Sequence, residues 1–289
     1  MKKSVRAAIA FTIILAGTGL AMYPLISNYL YEKNQGSAIS AYDEQTEEIS
    51  DTEKEQELEK ARLYNASLLD SNVILTDPFT PDALSKKDSS LLYEELLNIG
   101  DDGVMGYLEI PAIDLSLNIY HGTGSRALEA GVGHLENTSL PVGGESTHAV
   151  LSAHTGLPGK KLFTDLELLE TGDVFLVHVL DEVLAYEVDQ IKVVNPENVS
   201  DLGILRGEDY TTLITCTPYG VNSHRLLVRG IRVPYEEIEE ESHSIQKKTG
   251  SQWMRQYFRG IFTGLAVLLL ILIIYWIYRA GRNKNERRN

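Results

Sequence analysis

Ile261 to Tyr278 reads IFTGLAVLLLILIIYWIY and carries no charge. Eighteen residues at ~1.5 Å each reach about 27 Å as a helix, close to the hydrocarbon thickness of a bilayer. Residues 261–278 therefore read as a transmembrane helix. Tyr275, Trp276 and Tyr278 suit its interface, and a basic tail, residues 279–289, follows directly. Lys247, Lys248, Arg255 and Arg259 are basic on the other side, so this span alone orients the chain weakly. At the other end, Lys2, Lys3 and Arg6 lead into the apolar Ala7 to Leu25. That segment fits a signal peptide cut near Gly19-Leu20-Ala21, or an uncleaved anchor. Pro24 to Leu30 carries the apolar character onward and favours an anchor over residues 1–30, while the Lys2-Lys3 flank argues against a buried core helix. Two such spans put the middle of the chain outside the cytoplasm and return the tail to it.

The middle is acidic between basic ends, and the whole carries a net charge of −15, which argues against nucleic acid as a partner. Hydrophobic residues make up 43%, enough for a real core in one large domain or two small ones. The single cysteine, Cys216, cannot form an intrachain disulfide. A lone thiol is a liability in an oxidising compartment, so its retention needs a reason. It lies too far from the N-terminus to be a lipoprotein cysteine.

Residues 31–75 form an acidic segment in which Tyr42 to Leu69, rich in Glu and free of Gly and Pro, predicts a solvated helical stalk. Residues 76–88, with Pro78 and Pro81, predict a loop. Ser89 to Ile99 predicts a short amphipathic helix. From Gly106 the pattern turns to strands: Tyr107 to Ile110, Leu115 to Tyr120, His148 to Ala153, Val174 to Val179, Val183 to Val194, Tyr210 to Thr215 and Arg225 to Val233. Leu180-Asp181-Glu182 predicts a hairpin turn. The strands predict a mainly β barrel or sandwich over residues 89–240, with a juxtamembrane linker at 241–260. No internal repeat is visible.

The chemistry concentrates in LITCTPYGVNSHRLLVRG, Leu213 to Gly230. A strand ends at Cys216, Pro218 and Gly220 force a turn, and a second strand begins near Arg225. A thiol at a strand end can be partly exposed on a rigid backbone, and a nearby cation lowers its pKa. A hairpin returns Arg225 beside Cys216, where it can also stabilise an oxyanion. Acyl transfer needs an acid/base, and there are seven histidines. His154 ends a buried-looking strand before a Gly/Pro loop, the same placement as Cys216. His134 can instead be structural, and His121, His148, His178, His224 and His243 lack a partner signal. On the residues alone, an inert buried Cys216 and a surface ion pair for Arg225 stay open. No metal-ligand spacing and no phosphate loop is present, so no cofactor is expected.

TLITC at Thr212 to Cys216 followed by Arg225 resembles the TLxTC…R signature of sortases, and LSAHTGLPGKKLFTDL, Leu151 to Leu166, resembles the family's histidine segment. CTPYGVNSHRLLVRG is similar to the class C, pilus-assembling branch. The resemblance runs from about Asp77 to Tyr235. It implies a sortase-type closed β-barrel of about eight strands, with N-terminal helices and two membrane-spanning segments. It implies Cys216 as nucleophile, His154 as general acid/base and Arg225 as stabiliser of substrate and oxyanion. The implied substrate is an LPxTG-like sorting signal cleaved between Thr and Gly, and the implied acceptor is a lysine amine of the next pilin. Pilins and the bilayer are thus the expected partners. Asp77-Pro78-Phe79 resembles the branch's lid, with Asp77 facing Arg225 and Phe79 covering the sulfur; many relatives carry Trp in place of Phe79.

Two other readings compete. An L,D-transpeptidase-like cell-wall enzyme also uses Cys, His and Arg, but usually within a Ser-His-Gly-Cys segment where this chain has Leu-Ile-Thr-Cys. A non-catalytic, membrane-tethered adhesin would not require His154, Cys216 and Arg225 to converge.

Overall fold

The computed structural model describes residues 3–69, 75–80, 91–235, 247–248 and 250–286. They divide into two units, one drawn from the chain ends up to Met22 and from Gly250, the other spanning Tyr23–Thr249. The terminal unit holds the first part of α1 (Lys3–Glu48) and a long C-terminal helix, Gln252–Glu286. Both are long and apolar enough to cross a membrane, over Phe11–Glu48 and Gln252–Tyr278. The C-terminal helix extends past both ends of the expected 261–278 span, because no proline interrupts its polar flanks.

In the second unit, α1 continues to Glu48 and the chain restarts as α2 (Asp51–Leu68). Ser50 caps α2 in a reciprocal box with Glu53, satisfying donors that the helix start leaves free. The acidic segment is not solvated all round. Leu58 and Ala61 of α2 enter the main core. Asn65 exchanges two hydrogen bonds with the Leu140 backbone, at 3.1 and 2.7 Å. Tyr42 of α1 is buried and donates to the Met105 carbonyl. The Glu-rich faces stay outside while a narrow apolar stripe packs inward. Of the predicted helix over Ser89 to Ile99, the described residues form α3 (Leu91–Glu95) and a turn, with Leu97 in the left-handed region. Residues 81–90, including most of the expected 76–88 loop, lie outside the described residues.

Eight strands follow: β1 (Val104–Ile110), β2 (Leu115–His121), β3 (Val132–His134), β4 (Thr147–Ser152), β5 (Val174–Val179), β6 (Glu182–Val194), β7 (Asp209–Thr217) and β8 (His224–Val233). The six-residue α4 (Ser125–Ala130) links β2 to β3, which makes the C-terminal helix α5. The strands close a barrel in the order β1-β2-β3-β4-β7-β8-β6-β5. Closure leaves no unpaired edge. Most neighbours are antiparallel, but β2/β3 and β4/β7 run parallel. Side chains alternate between the faces. Leu213 and Val228 point into the main core. Ile214 and Leu227, one residue along, join a second apolar cluster with Val150, Leu135 and Leu202. That second cluster is the floor on which the site is built.

Candidate active site

The predicted hairpin brings Cys216 and Arg225 together. In the β7/β8 ladder the two residues are direct partners. Gly220 supplies the positive φ that the connecting turn needs, +73°. On its other side β7 runs parallel to β4, with Ser152 opposite Ile214. The ladder is prolonged by Ala153 N–H donating to the Ile214 carbonyl at 3.2 Å and by Thr215 Oγ1 donating to the Ala153 carbonyl at 2.7 Å. His154 is the next residue. Neighbouring strands lie roughly 4.8 Å apart, so by this register His154, two residues past the end of β4, stands in a row with Cys216 on β7 and Arg225 on β8. By the two-residue alternation, Cys216 shares the outer face with Ile214, and Arg225 with Leu227.

Residues 75–80 cover this row. Leu75 and Phe79 pack onto the second apolar cluster. Asp77, 6% exposed, meets Arg225 edge-on: Nε donates to Oδ1 and Nη2 to Oδ2, each at 2.7 Å. Arg225 Nη1 donates to the carbonyls of Asn222 and His224 at 3.2 and 3.0 Å. The Phe79 ring lies 5.7 Å from the His154 ring and 5.2 Å from the Arg225 guanidinium. Phe79 therefore spans the flanks of the row, against both the imidazole and the guanidinium. Pro78 is buried between the two, and Thr80 closes the turn onto the Asp77 carbonyl.

This enclosure sets the protonation of the site. Burial pushes the Cys216 thiol up to about 11; the Arg225 charge works against that rise, and the Asp77 carboxylate adds to it. Burial also pulls His154 below its ordinary value, with Glu129 opposing and Lys160 reinforcing the shift. Burial works against the charge of Arg225 too. Its bonds to Asp77 and its attraction to Cys216 and Asp77 outweigh that effect and hold its pKa high. At neutral pH the covered site is a neutral thiol beside a neutral imidazole, with a guanidinium neutralised by a carboxylate. Among the described residues no group of three or more His, Cys, Asp or Glu is placed to hold a metal.

A sortase-domain family model matches residues 108–233, which include all three residues of the row. Sortase C-1 of Streptococcus pneumoniae is 46% identical; the superposition covers 69% of this chain and 99% of that one, with a TM-score of 0.64. The chain belongs to the sortase family. A second structural neighbour, sortase C1 of GBS pilus island 1, is 45% identical, covering 70% of this chain and 93% of its own, with a TM-score of 0.62. Sortase A of Streptococcus agalactiae serotype III is 32% identical over 117 residues, 39% of this chain and 47% of that relative. The chain thus spans about half the length of that relative. Its structural neighbours are class C sortases, and the sortases as a family are cysteine transpeptidases.

Sequence reasoning did not find the partners of the other histidines in this sortase. His134 is fully buried; its Nε2–H donates to the Ser139 carbonyl at 2.8 Å, and its Nδ1 accepts from the Tyr93 hydroxyl at 2.8 Å. His148 joins the Gly203 carbonyl to Thr212 Oγ1. Apart from Ser139, these partners are distant in sequence, and the closed barrel brings them together.

Proposed function

We propose that this chain is a class C-like sortase that joins pilin subunits, with Cys216 as nucleophile, His154 as acid/base and Arg225 as oxyanion stabiliser. The observation that carries the reading is the row of these three side chains across β4, β7 and β8. In the covered state Arg225 is occupied by Asp77 and the thiol is neutral. Opening the Asp77-Pro78-Phe79 lid frees the guanidinium, admits water and removes a negative charge from beside Cys216. All three changes favour the thiolate.

His154 takes the Cys216 proton, and the thiolate then attacks the Thr carbonyl of an LPxTG-like sorting signal. Arg225 bears the oxyanion of the tetrahedral intermediate. The C–N bond to Gly breaks as His154 passes its proton to the leaving amine, leaving a thioester on Cys216. A lysine amine of the next subunit attacks that thioester, His154 takes the amine proton, and the thiolate departs with an isopeptide bond formed. Pilins as substrates are supported by the likeness to a sortase encoded in a pilus island. The two apolar terminal helices support a two-pass membrane protein with its barrel outside the cytoplasm.

Intact-mass spectrometry of the protein mixed with an LPxTG-type peptide tests this. The expected result is a peptide acyl adduct that is absent from Cys216→Ala. An enzyme carrying Asp77→Ala and Phe79→Ala that forms no adduct overturns the reading.

A further inference from the structure

The loop that follows His154 is closed by two bonds within its own segment. The Phe163 N–H donates to the His154 carbonyl at 3.1 Å, and the Gly156 N–H donates to Thr164 Oγ1 at 3.0 Å. Its far end is held by something distant in sequence. α1 crosses it, and Asn28 Oδ1 accepts the Lys161 N–H at 2.7 Å. The Asn28 amide is itself oriented by Nδ2 donating to Glu32 at 2.9 Å. Asn28 is 9% exposed, whereas its neighbours Tyr29 and Leu30 are 65% and 51% exposed. A buried amide pointing away from the apolar face of a helix needs a partner, and the histidine loop supplies it.

Two further contacts press α1 onto the same loop. Gly159 has φ +84°, and a Cβ there would lie 2.7 Å from the Ser27 Cβ, so only glycine lets the helix approach this closely. The Lys160 ammonium stands 5.2 Å over the Tyr31 ring. One turn further on, the Tyr31 hydroxyl and Gln35 Nε2 both donate to the Ala130 carbonyl at 2.7 Å, fixing the end of α4. Lys160 and Glu129 are the two charged residues that bias His154. Both therefore sit on backbone that α1 holds.

We propose that Asn28 is a positioning residue for His154: α1 braces the histidine loop through the Asn28–Lys161 bond and the Ser27–Gly159 contact, and so keeps the imidazole aligned with Cys216. The proposal rests on the transpeptidase reading for its kinetic consequence, but not for its structural one. A helix that begins as an apolar anchor is then also part of the catalytic framework. A soluble fragment beginning at Tyr42 would lack the brace.

The test uses the full chain in detergent micelles and three variants. Asn28→Ala removes the acceptor. Gly159→Ala pushes the loop from its other side. Asn28→Asp combined with Glu32→Gln keeps an acceptor for Lys161 and a donor partner for position 28 at unchanged net charge. In a Cys216→Ala background, the NMR titration of His154 is expected to start below the ordinary histidine value. It should move up toward that value in Asn28→Ala and Gly159→Ala, and stay in place in the double variant. With Cys216 present and the lid released by Asp77→Ala, acylation by an LPxTG-type peptide should slow about tenfold in kcat for the first two variants, with KM and the double variant unchanged. An unmoved His154 titration in both disrupting variants overturns the proposal, as does a double variant that behaves like Asn28→Ala. A parent protein that forms no acyl-enzyme sinks the transpeptidase reading instead, and the titration still decides the brace.

Discussion

Strand β8 carries two arginines on one face, Arg225 and Arg229, and each holds the same pair of partners, a carboxylate and an aromatic ring. Arg229 binds Asp189 edge-on, through Nε at 3.0 Å and Nη2 at 2.5 Å, and lies 4.1 Å over the Tyr210 ring. Arg225 binds Asp77 edge-on and lies over Phe79. The difference is where the partners come from. Asp189 and Tyr210 belong to β6 and β7, the strands that flank β8 in the barrel. Asp77 and Phe79 belong to a segment outside the barrel altogether. The first arrangement cannot come apart without opening the sheet. The second can separate while every strand stays paired. One chemistry therefore ties strands together at Arg229 and, in the proposed reading, serves as a removable stopper at Arg225.

The largest expected effect concerns the residue between them. Cys216→Ala should abolish the acyl adduct and all polymer while leaving the melting temperature and circular dichroism those of the parent. Polymer formed at the parent rate would break the whole comparison, since no site would be left to guard.

Exchanging the two arginines sharpens it. Arg225→Ala should lower kcat/KM for a sorting peptide by about 10²–10³-fold, the scale of losing an oxyanion donor. Arg229→Ala should instead cost roughly 1–3 kcal/mol in denaturant unfolding, by leaving Asp189 half-buried and unpaired, with peptide turnover per folded molecule near that of the parent. Equal kinetic losses from both variants would mean that the barrel pair is not merely structural.

The carboxylates follow. The reaction of Cys216 with a small thiol reagent should rise with pH until about 11 in the parent, because only the thiolate reacts and the covered thiol titrates there. Asp77→Ala removes a charge that raises the thiol pKa and uncovers the site, so the profile should shift to lower pH and the rate near pH 8 should rise about tenfold or more. Asp189→Ala should leave that profile in place. The rings give the smallest effects. Phe79→Leu should speed the thiol reaction a few-fold, whereas Tyr210→Leu should lower stability by about 0.5–1 kcal/mol through the lost cation–π contact, with no change in thiol reactivity.

The parts legible in the sequence were those that depend on near neighbours. The β7/β8 hairpin, and with it the Cys216–Arg225 pairing, follows from two β-rich runs around Pro218 and Gly220. Strands β5 and β6 are visible from their branched residues. Strand β3 is only Val132–His134, too short for any alternation to register. The buried stripe of α2 is masked because Leu58, Ala61 and Asn65 are three positions among many glutamates. Within the site, Asp77 and Phe79 came from family likeness, since a Pro-containing turn by itself carries no sign of a partner 148 positions away. The contact of Phe79 with His154 and Arg225 needed the tertiary arrangement. Asn28 did leave a trace, as a lone amide in the apolar run Tyr23 to Leu30, but nothing nearby names Lys161 as its partner.

The placement of Cys216 within the sheet also has a mechanical side. In the proposed mechanism a cargo held on this sulfur as a thioester would pull on β7, which is hydrogen-bonded to β4 on one side and β8 on the other. A tug along β7 loads both ladders in shear, so many bonds share the tension at once instead of parting in sequence. The proposed covalent intermediate would therefore be tethered to a strand that is held on both sides. The lid, which bears none of that load, stays free to swing.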